Sequence, residues 1–365
     1  MNKIKRLLLV MITFVMNGCD KSTNKIENEL VFSREDFKET KTLSNPEEIV
    51  IKDLLYPASF RVMNDSLLIV DNQPVCDYLL EVYSLNSLTA VKRHINRGNG
   101  PGEMLSCSMS LHDNQNETFF LRDLSTNLCY VTDLSTLLQN NVFKPSSSFK
   151  LSSEISIGAD ICLMSDNRYV GCHMWYLEDP NFSVVDAPLM VLKRGEDNGK
   201  GINDYPFMVA SVNGSLLFTH PDTNHIWSLD MHRDIIRIYN DSLCQIGSLS
   251  GPDNFRPSYT RKEIKAPVAF VTFEGEKFYT SYIDYYLTEK HIYLVYQGTE
   301  YFDPTNLLPV EIFKLDYSGN LLCNYKVDRY VYSISIDRSE KYLYCASRKS
   351  LEEPPTILKY TLNTK

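Results

Sequence analysis

Eleven side chains in the polar stretches of this sequence have the chemistry of a recognition surface: His173, Trp175 and Tyr176; His220, Asp222 and His225; Arg256, Tyr259 and Arg261; and Tyr301 with Asp303. Indole and phenol rings offer flat apolar faces, and charged or imidazole neighbours supply hydrogen bonds, a combination suited to holding a sugar or a peptide. Ordinary packing and solvation of loops would use the same residue types. His220 and His225 flank a turn containing Pro221, and no ligand beyond Asp222 is identifiable, so no metal is expected there. Neither a Ser-His-Asp arrangement nor a pair of glutamates can be recognised, so no catalytic residue and no cofactor are assigned.

Those residues lie between the strands of a repeat. Six segments share one outline: a turn, an apolar strand, a loop of varying length, and a second strand that often ends in Leu-Asp or Leu-Asn. With Leu67, Phe119, Tyr169, Leu216, Ile292 and Tyr342 taken as equivalent, the spacings are 52, 50, 47, 76 and 50 residues. Short strands rich in Tyr, Val, Ile and Phe, recurring every ~40 to 50 residues, are the signature of propeller blades. Turn formers such as Asn64-Asp65, Asp166-Asn167 and Asn213-Gly214 precede most of these strands. The expected fold is therefore all-β, a six-bladed β-propeller of four-stranded antiparallel blades over 46–365, with strands A to D in each blade. The last repeat ends without room for its outer strand, whereas 48–52 is strand-like and unassigned. An N-terminal strand is expected to close the ring and remove the open edge.

In such blades the B-to-C and D-to-A connections emerge on one face, and the A-to-B and C-to-D turns on the other. The long stretches 173–187, 297–309 and 245–273 are assigned to the first face, the loop face. Binding is expected there, because long loops on a rigid scaffold are where recognition usually resides. The eleven residues above are placed on it.

The first twenty residues read as an address. Lys3, Lys5 and Arg6 precede an apolar run, 7–15, that is too short to span a bilayer as a helix. The run stops at Met16-Asn17-Gly18-Cys19, which resembles the lipobox of bacterial lipoproteins. Residues 1–18 are thus expected to be a cleaved signal peptide, Cys19 the lipidated residue, and 19–45 a polar, flexible tether to a membrane, the outer membrane being favoured. The net charge of -9 argues against nucleic acid as a partner, since phosphate binding needs a basic footprint. Of nine cysteines, the eight after Cys19 show no zinc-like spacing, and most read as buried thiols, with a disulfide or two allowed by an oxidising compartment.

Arg97-Gly-Asn-Gly-Pro-Gly-Glu103 follows the outer strand of the first blade. Its Gly98, Gly100, Pro101, Gly102 and Glu103 match a signature of the TolB-like six-bladed propeller lipoproteins of Bacteroides-type bacteria, which the chain resembles over about 48–365. A phosphate loop would need Gly-Lys-Ser/Thr or a following helix. The motif is instead expected to turn the chain between blades, with Glu103 bonding backbone amides or an arginine. The resemblance implies fold and location rather than chemistry. It favours a non-enzymatic binding or scaffold protein of the cell envelope with a glycan, peptide or protein partner. The alternative is a metal-dependent hydrolase or lyase, as in related propellers with axial carboxylates, for which Asp71, Asp123 and Asp337 could approach the axis.

Overall fold

The computed structural model describes residues 29–362 except 55, 74, 114–117, 127, 151–159, 165–168, 173–180, 186–188, 194–214, 221, 256–258, 266–267, 274–278, 301–306 and 351. Among the described residues the strands form six sheets of four or five strands and one two-stranded ribbon. The six sheets are the blades. Blade 1 comprises Pro57–Met63, Leu67–Asn72, Tyr78–Ser84 and Thr89–Asn96. Blade 2 comprises Cys107–Asp113, Thr118–Asp123, Leu128–Asp133 and Ser147–Lys150, with a short helix, Leu134–Gln139, before its last strand. Blade 3 comprises Ile161–Leu163, Tyr169–Cys172, Asn181–Val185 and Leu189–Lys193. Blade 4 follows with Ser215–Thr219, Ile226–Asp230, Ile235–Tyr239 and Gln245–Ser250, and blade 5 with Tyr279–Leu287, His291–Glu300, Glu311–Asp316 and Leu321–Val327. Blade 6 takes Val331–Ile336, Tyr342–Ser347 and Thr356–Thr361, and its outer strand is Glu47–Ile49, antiparallel to Thr356–Thr361.

The apolar runs of these strands follow from burial on both faces, because successive side chains of a strand point to opposite sides. In the B strand of blade 6, Leu343 and Cys345 pack against blade 5, whereas Tyr344 and Ala346 pack against blade 1. In blade 1, Ile69 faces blade 2 while Leu68 and Val70 face blade 6. Among the described residues the buried apolar side chains form six clusters, one at each junction between neighbouring blades, including that between blades 6 and 1. The innermost strands likewise touch in cyclic order from blade 1 round to blade 6 and back. The ring is closed.

Polar clasps reinforce it near the axis. Asp71 of blade 1 accepts the Met109 N–H of blade 2 at 3.0 Å, Asp160 accepts the Leu217 N–H of blade 4 at 2.8 Å, and Asp284 of blade 5 accepts the Ile334 N–H of blade 6 at 2.8 Å. Ser335 of blade 6 accepts the Val62 N–H of blade 1 at 2.9 Å. Each bond occupies a backbone donor that an innermost strand, paired on one side only, would otherwise leave open.

The segment expected to be a flexible tether is, from residue 29 onward, part of the fold. Glu29–Val31 adds a parallel fifth strand to blade 4, and Glu39–Leu43 does the same for blade 5. Between them Phe32 and Phe37 enter the core shared by those blades, packing edge-on at 6.0 Å, with Phe37 tilted onto Phe313 at 4.9 Å. Arg34 donates to Asp253 and Glu311, and its guanidinium lies over the Tyr296 ring. Apolar anchors at 32, 37 and 43 explain why this polar-looking stretch docks: each fills a site that the outer blade edge leaves open.

A second correction concerns blade 4. Leu216 lies in its A strand, Ser215–Thr219, and not in its B strand, Ile226–Asp230. The fourth repeat is therefore shifted by one strand: counted from Ile226 the intervals on either side are 57 and 66 residues instead of 47 and 76. Gln245–Ser250 is the outer strand of this blade, and the connection to blade 5 is 251–278, which carries the ribbon Tyr259–Lys265 and Val268–Phe273 and keeps the second interval long. Turn 220–225 joins strands A and B and leaves the disc on the turn face, opposite to the loop face.

Candidate ligand-binding cavity on the turn face

The cavity is built from three A-to-B turns, of blades 5, 6 and 1. In blade 1, Asn64 and Asp65 both adopt left-handed backbone, at φ 48° and 53°, and Ser66 N–H bonds to Met63 O. This is the two-residue hairpin turn whose mirror-image twist suits paired strands, and Asn and Asp tolerate it best after glycine. In blade 5, Glu289 and Lys290 cross between Thr288 and His291, whose backbones exchange a bond at 2.9 Å while Thr288 Oγ1 accepts the His291 N–H. In blade 6, Asp337 accepts the Tyr342 N–H and so holds a longer turn that puts Glu340 in left-handed backbone at φ 53°.

The three turns enclose a cavity of about 560 Å³, within the usual range for small-ligand sites. Its deeper wall is Val62, Tyr286 and Ile336 on the innermost strands, and its rim carries Asp65, Lys290, Arg338 and Ser339. The polar wall is organised by Glu340. Its carboxylate accepts from Thr288 Oγ1 at 2.5 Å, His291 Nδ1 at 2.6 Å, Tyr293 Oη at 2.9 Å and Lys314 Nζ at 2.9 Å. Burial alone would raise this acid, but the bonds from Thr288, His291 and Lys314 outweigh it and hold the carboxyl down at about 2. Glu340 is a fastener between blades 5 and 6, and the exposed rim groups are those left to meet a ligand.

His220, Asp222 and His225 stand on this turn face, not on the loop face where they were expected. The His220 ring lies 4.6 Å from that of Tyr317, whose hydroxyl donates to Thr288 O, so the turn of blade 4 abuts the cavity wall. Nδ1 of His220 accepts the Asp222 N–H at 3.0 Å, and burial lowers its proton affinity. That nitrogen is committed to the turn. Tyr259 and Arg261 fall on the first strand of the ribbon, in the connection between blades 4 and 5. Cys19, His173, Trp175, Tyr176, Arg256, Tyr301 and Asp303 lie outside the described residues.

The three aspartates weighed for an axial site are not brought together. Asp71 clasps blade 2; Asp123 accepts from Ser125 N–H and Thr126 Oγ1 at the loop face; Asp337 holds its own turn at the other. Among the described residues no three His, Cys, Asp or Glu side chains converge as metal ligands. Seven cysteines, Cys76, Cys107, Cys129, Cys162, Cys244, Cys323 and Cys345, are free thiols. In the glycine-rich loop Glu103 Oε2 accepts the Gly100 N–H at 2.8 Å, and a Cβ on Gly98 would sit 2.0 Å from that oxygen. The loop is a rigid turn with its own carboxylate folded inside. Glu340, His291 and Lys314 escaped the sequence reading because they are far apart in the chain; the signal available was a charged residue at a hairpin turn.

Residues 34–339 match the family described as TolB-like 6-blade propeller-like. A crystal structure of a member of the DUF4221 family from Bacteroides vulgatus superposes with a TM-score of 0.58 at 10% identity, covering 87% of this chain and 96% of that one. A protein from Bacteroides fragilis, named as one expected to be exported, does so with a TM-score of 0.50 at 14% identity, over 92% and 100% of the two chains. At these identities the likeness is one of fold. No curated protein matches the chain. No helix among the described residues is long and apolar enough to cross a membrane.

Proposed function

We propose a role for a chain that belongs to the TolB-like six-blade propeller family: an exported, lipid-anchored binding scaffold that receives its ligand in the cavity shared by blades 5, 6 and 1. The anchor is Cys19, preceded by a cationic and apolar leader, and the outer membrane is its destination. Export is supported by the name of the Bacteroides fragilis structure. The observation that carries the binding role is the cavity itself, whose rim sets Lys290 and Arg338 against Asp65 and Glu289. The lining mixes both signs of charge, Lys290, Lys314 and Arg338 with Asp65, Glu289, Asp337 and Glu340, which suits a neutral, hydrogen-bonding ligand such as the end of a glycan better than an ion.

Two measurements test this. Incorporation of an alkyne-labelled fatty acid in the native host should occur in the wild type and disappear in Cys19→Ala; labelling of the variant would remove the anchor from the proposal. A thermal-shift screen of neutral oligosaccharides should find a stabiliser, because a ligand bound only by the native state raises its melting temperature. The shift should vanish in Lys290→Ala/Arg338→Ala. A stabiliser indifferent to both residues would place the site elsewhere.

A further inference from the structure

One atom of the clasp at Glu340 is unspent. Nδ1 of His291 lies 2.8 Å from Oε1 and 2.6 Å from Oε2 of that carboxylate. An ionised carboxylate only accepts, so the neutral ring keeps its single N–H on Nδ1 and leaves a bare lone pair on Nε2. Nε2 bonds to no described residue and is not closed off from solvent; the side chain is 23% exposed and lines the turn-face cavity. The residue is fixed in position. Its backbone N–H donates to Thr288 Oγ1, its carbonyl accepts the Thr288 N–H, and the Tyr293 ring stands edge-on at 6.5 Å.

An imidazole oriented by a carboxylate through one nitrogen, with the other nitrogen open at the wall of a ligand-sized cavity, is the arrangement of a general base. The wall offers it no protein nucleophile. The hydroxyls of Thr288 and Tyr293 donate to Glu340, and that of Ser339 donates to Asp337, which leaves water to be activated. Cleavage of a glycosidic bond begins with a proton from a carboxylic acid, and the wall has none to give. Against the upward push of burial, bonds from Thr288, His291 and Lys314 hold the Glu340 carboxyl down at about 2, so it is ionised. Asp337 spends its oxygens on Tyr342 N–H and Ser339 Oγ. An ester asks for less, since an alkoxide leaves more readily than the nitrogen of an amide. On the rim, the side chains of Lys290 and Arg338 form no ion pair with any described residue.

Resting on the reading of this cavity as the ligand site, we propose that it hydrolyses an acyl ester carried by a neutral glycan, with His291 as general base. Nε2 takes a proton from a water whose oxygen adds to the acyl carbon. The carbonyl oxygen becomes an oxyanion, a charge that Lys290 and Arg338 are suited to balance. The carbon–oxygen bond to the sugar then breaks, and the departing alkoxide takes the proton from Nε2. A free sugar hydroxyl and a carboxylic acid leave, the acid losing its proton to solvent. Glu340 stabilises the imidazolium between the two transfers and stays ionised throughout.

Purified protein is assayed for acetate release from acetylated xylotriose and from chitotriose, whose acetyl groups are amides, and for hydrolysis of 4-nitrophenyl acetate. Both esters should turn over and chitotriose should not. His291→Gln, which keeps a donor for Glu340 but no base, should lower kcat/KM for both esters by about a hundredfold or more, with the melting temperature reporting its fold. Diethyl pyrocarbonate, which acylates an accessible neutral imidazole, should modify His291 in the folded wild type. Ester hydrolysis should fall in step with that modification and return with hydroxylamine, a readout that needs no variant. No ester hydrolysis above the buffer rate, an undiminished rate in His291→Gln, acetate from chitotriose, or a His291 left unmodified would each overturn the assignment. None of these would touch a thermal shift produced by an unreactive oligosaccharide. Turnover of 4-nitrophenyl acetate through His291 with acetylated xylotriose inert would overturn the glycan reading of the cavity and keep the base.

Discussion

Nδ1 of His291 and Oε2 of Glu340 lie 2.6 Å apart across the junction of blades 5 and 6, and Lys314 Nζ reaches the same oxygen at 2.9 Å. The carboxylate therefore stabilises the fold only while ionised. Its folded pKa of about 2 is below the ordinary glutamate value of 4.5, so its contribution is present above about pH 4.5 and is lost as pH falls toward 2. Glu340→Gln should cost on the order of 2 to 3 kcal/mol at pH 7 and much less at pH 2.5. Urea unfolding at the two pH values checks this, and an equal loss at both would refute the ionised role.

Asp71 gives the opposite sign. Burial pushes its carboxyl up to about 8 from 3.8, so the folded state retains a proton that the unfolded chain has released. The stability this provides is complete below about pH 4 and is lost as pH rises through 8. Asp160, pushed up by burial to about 6, acts the same way over a narrower range. Urea midpoints of the wild type should fall between pH 5 and 8, and those of Asp71→Asn, which keeps an acceptor for Met109 N–H, should fall less. Parallel curves would remove Asp71 from the account.

Phe37 is 6% exposed and wedged against Phe313. Phe37→Ala should cost about 3 to 5 kcal/mol, the usual range for an aromatic removed from a core. Deleting residues 1–28 should leave the melting temperature unchanged, whereas deleting 1–45 should prevent soluble expression. A stable product from the longer deletion would show that the strap is dispensable.

Gly98 and Glu103 form a compact test of the glycine-rich loop. Gly98→Ala must displace the Glu103 carboxylate, losing its bond to Gly100, at a cost of about 1 kcal/mol. In Glu103→Ala the space is free, so the double variant should be little less stable than that single one. A double-mutant cycle reads the coupling directly, and additive losses would mean that the carboxylate does not occupy that space.

The blades and their closure were legible because central strands such as Leu67–Asn72, Ile226–Asp230 and Tyr342–Ser347 are buried on both faces, which turns period-two alternation into apolar runs bounded by turn residues. The register of blade 4 was not, since its two hairpins look alike locally. Asn213-Gly214 before Ser215–Thr219 imitates an A-to-B turn, and only the pairing of Ile226–Asp230 with its neighbours distinguishes them. The docked N-terminal segment was hidden by its composition, for Glu29–Val31 and Glu39–Leu43 bury little and rely on Phe32, Phe37 and Leu43. The cavity was illegible for a topological reason: its groups come from turns more than two hundred residues apart, joined only when blade 6 meets blade 1.

The edge strands of the last three blades are the first to be synthesised. Glu47–Ile49 cannot find Thr356–Thr361 until nearly the whole polypeptide has emerged, and Phe32 and Phe37 wait for Phe313, which trails them by 281 and 276 positions. A molecule truncated during synthesis therefore displays bare aromatic side chains and an unfilled edge, marks by which surveillance proteases can tell an unfinished copy from a mature one.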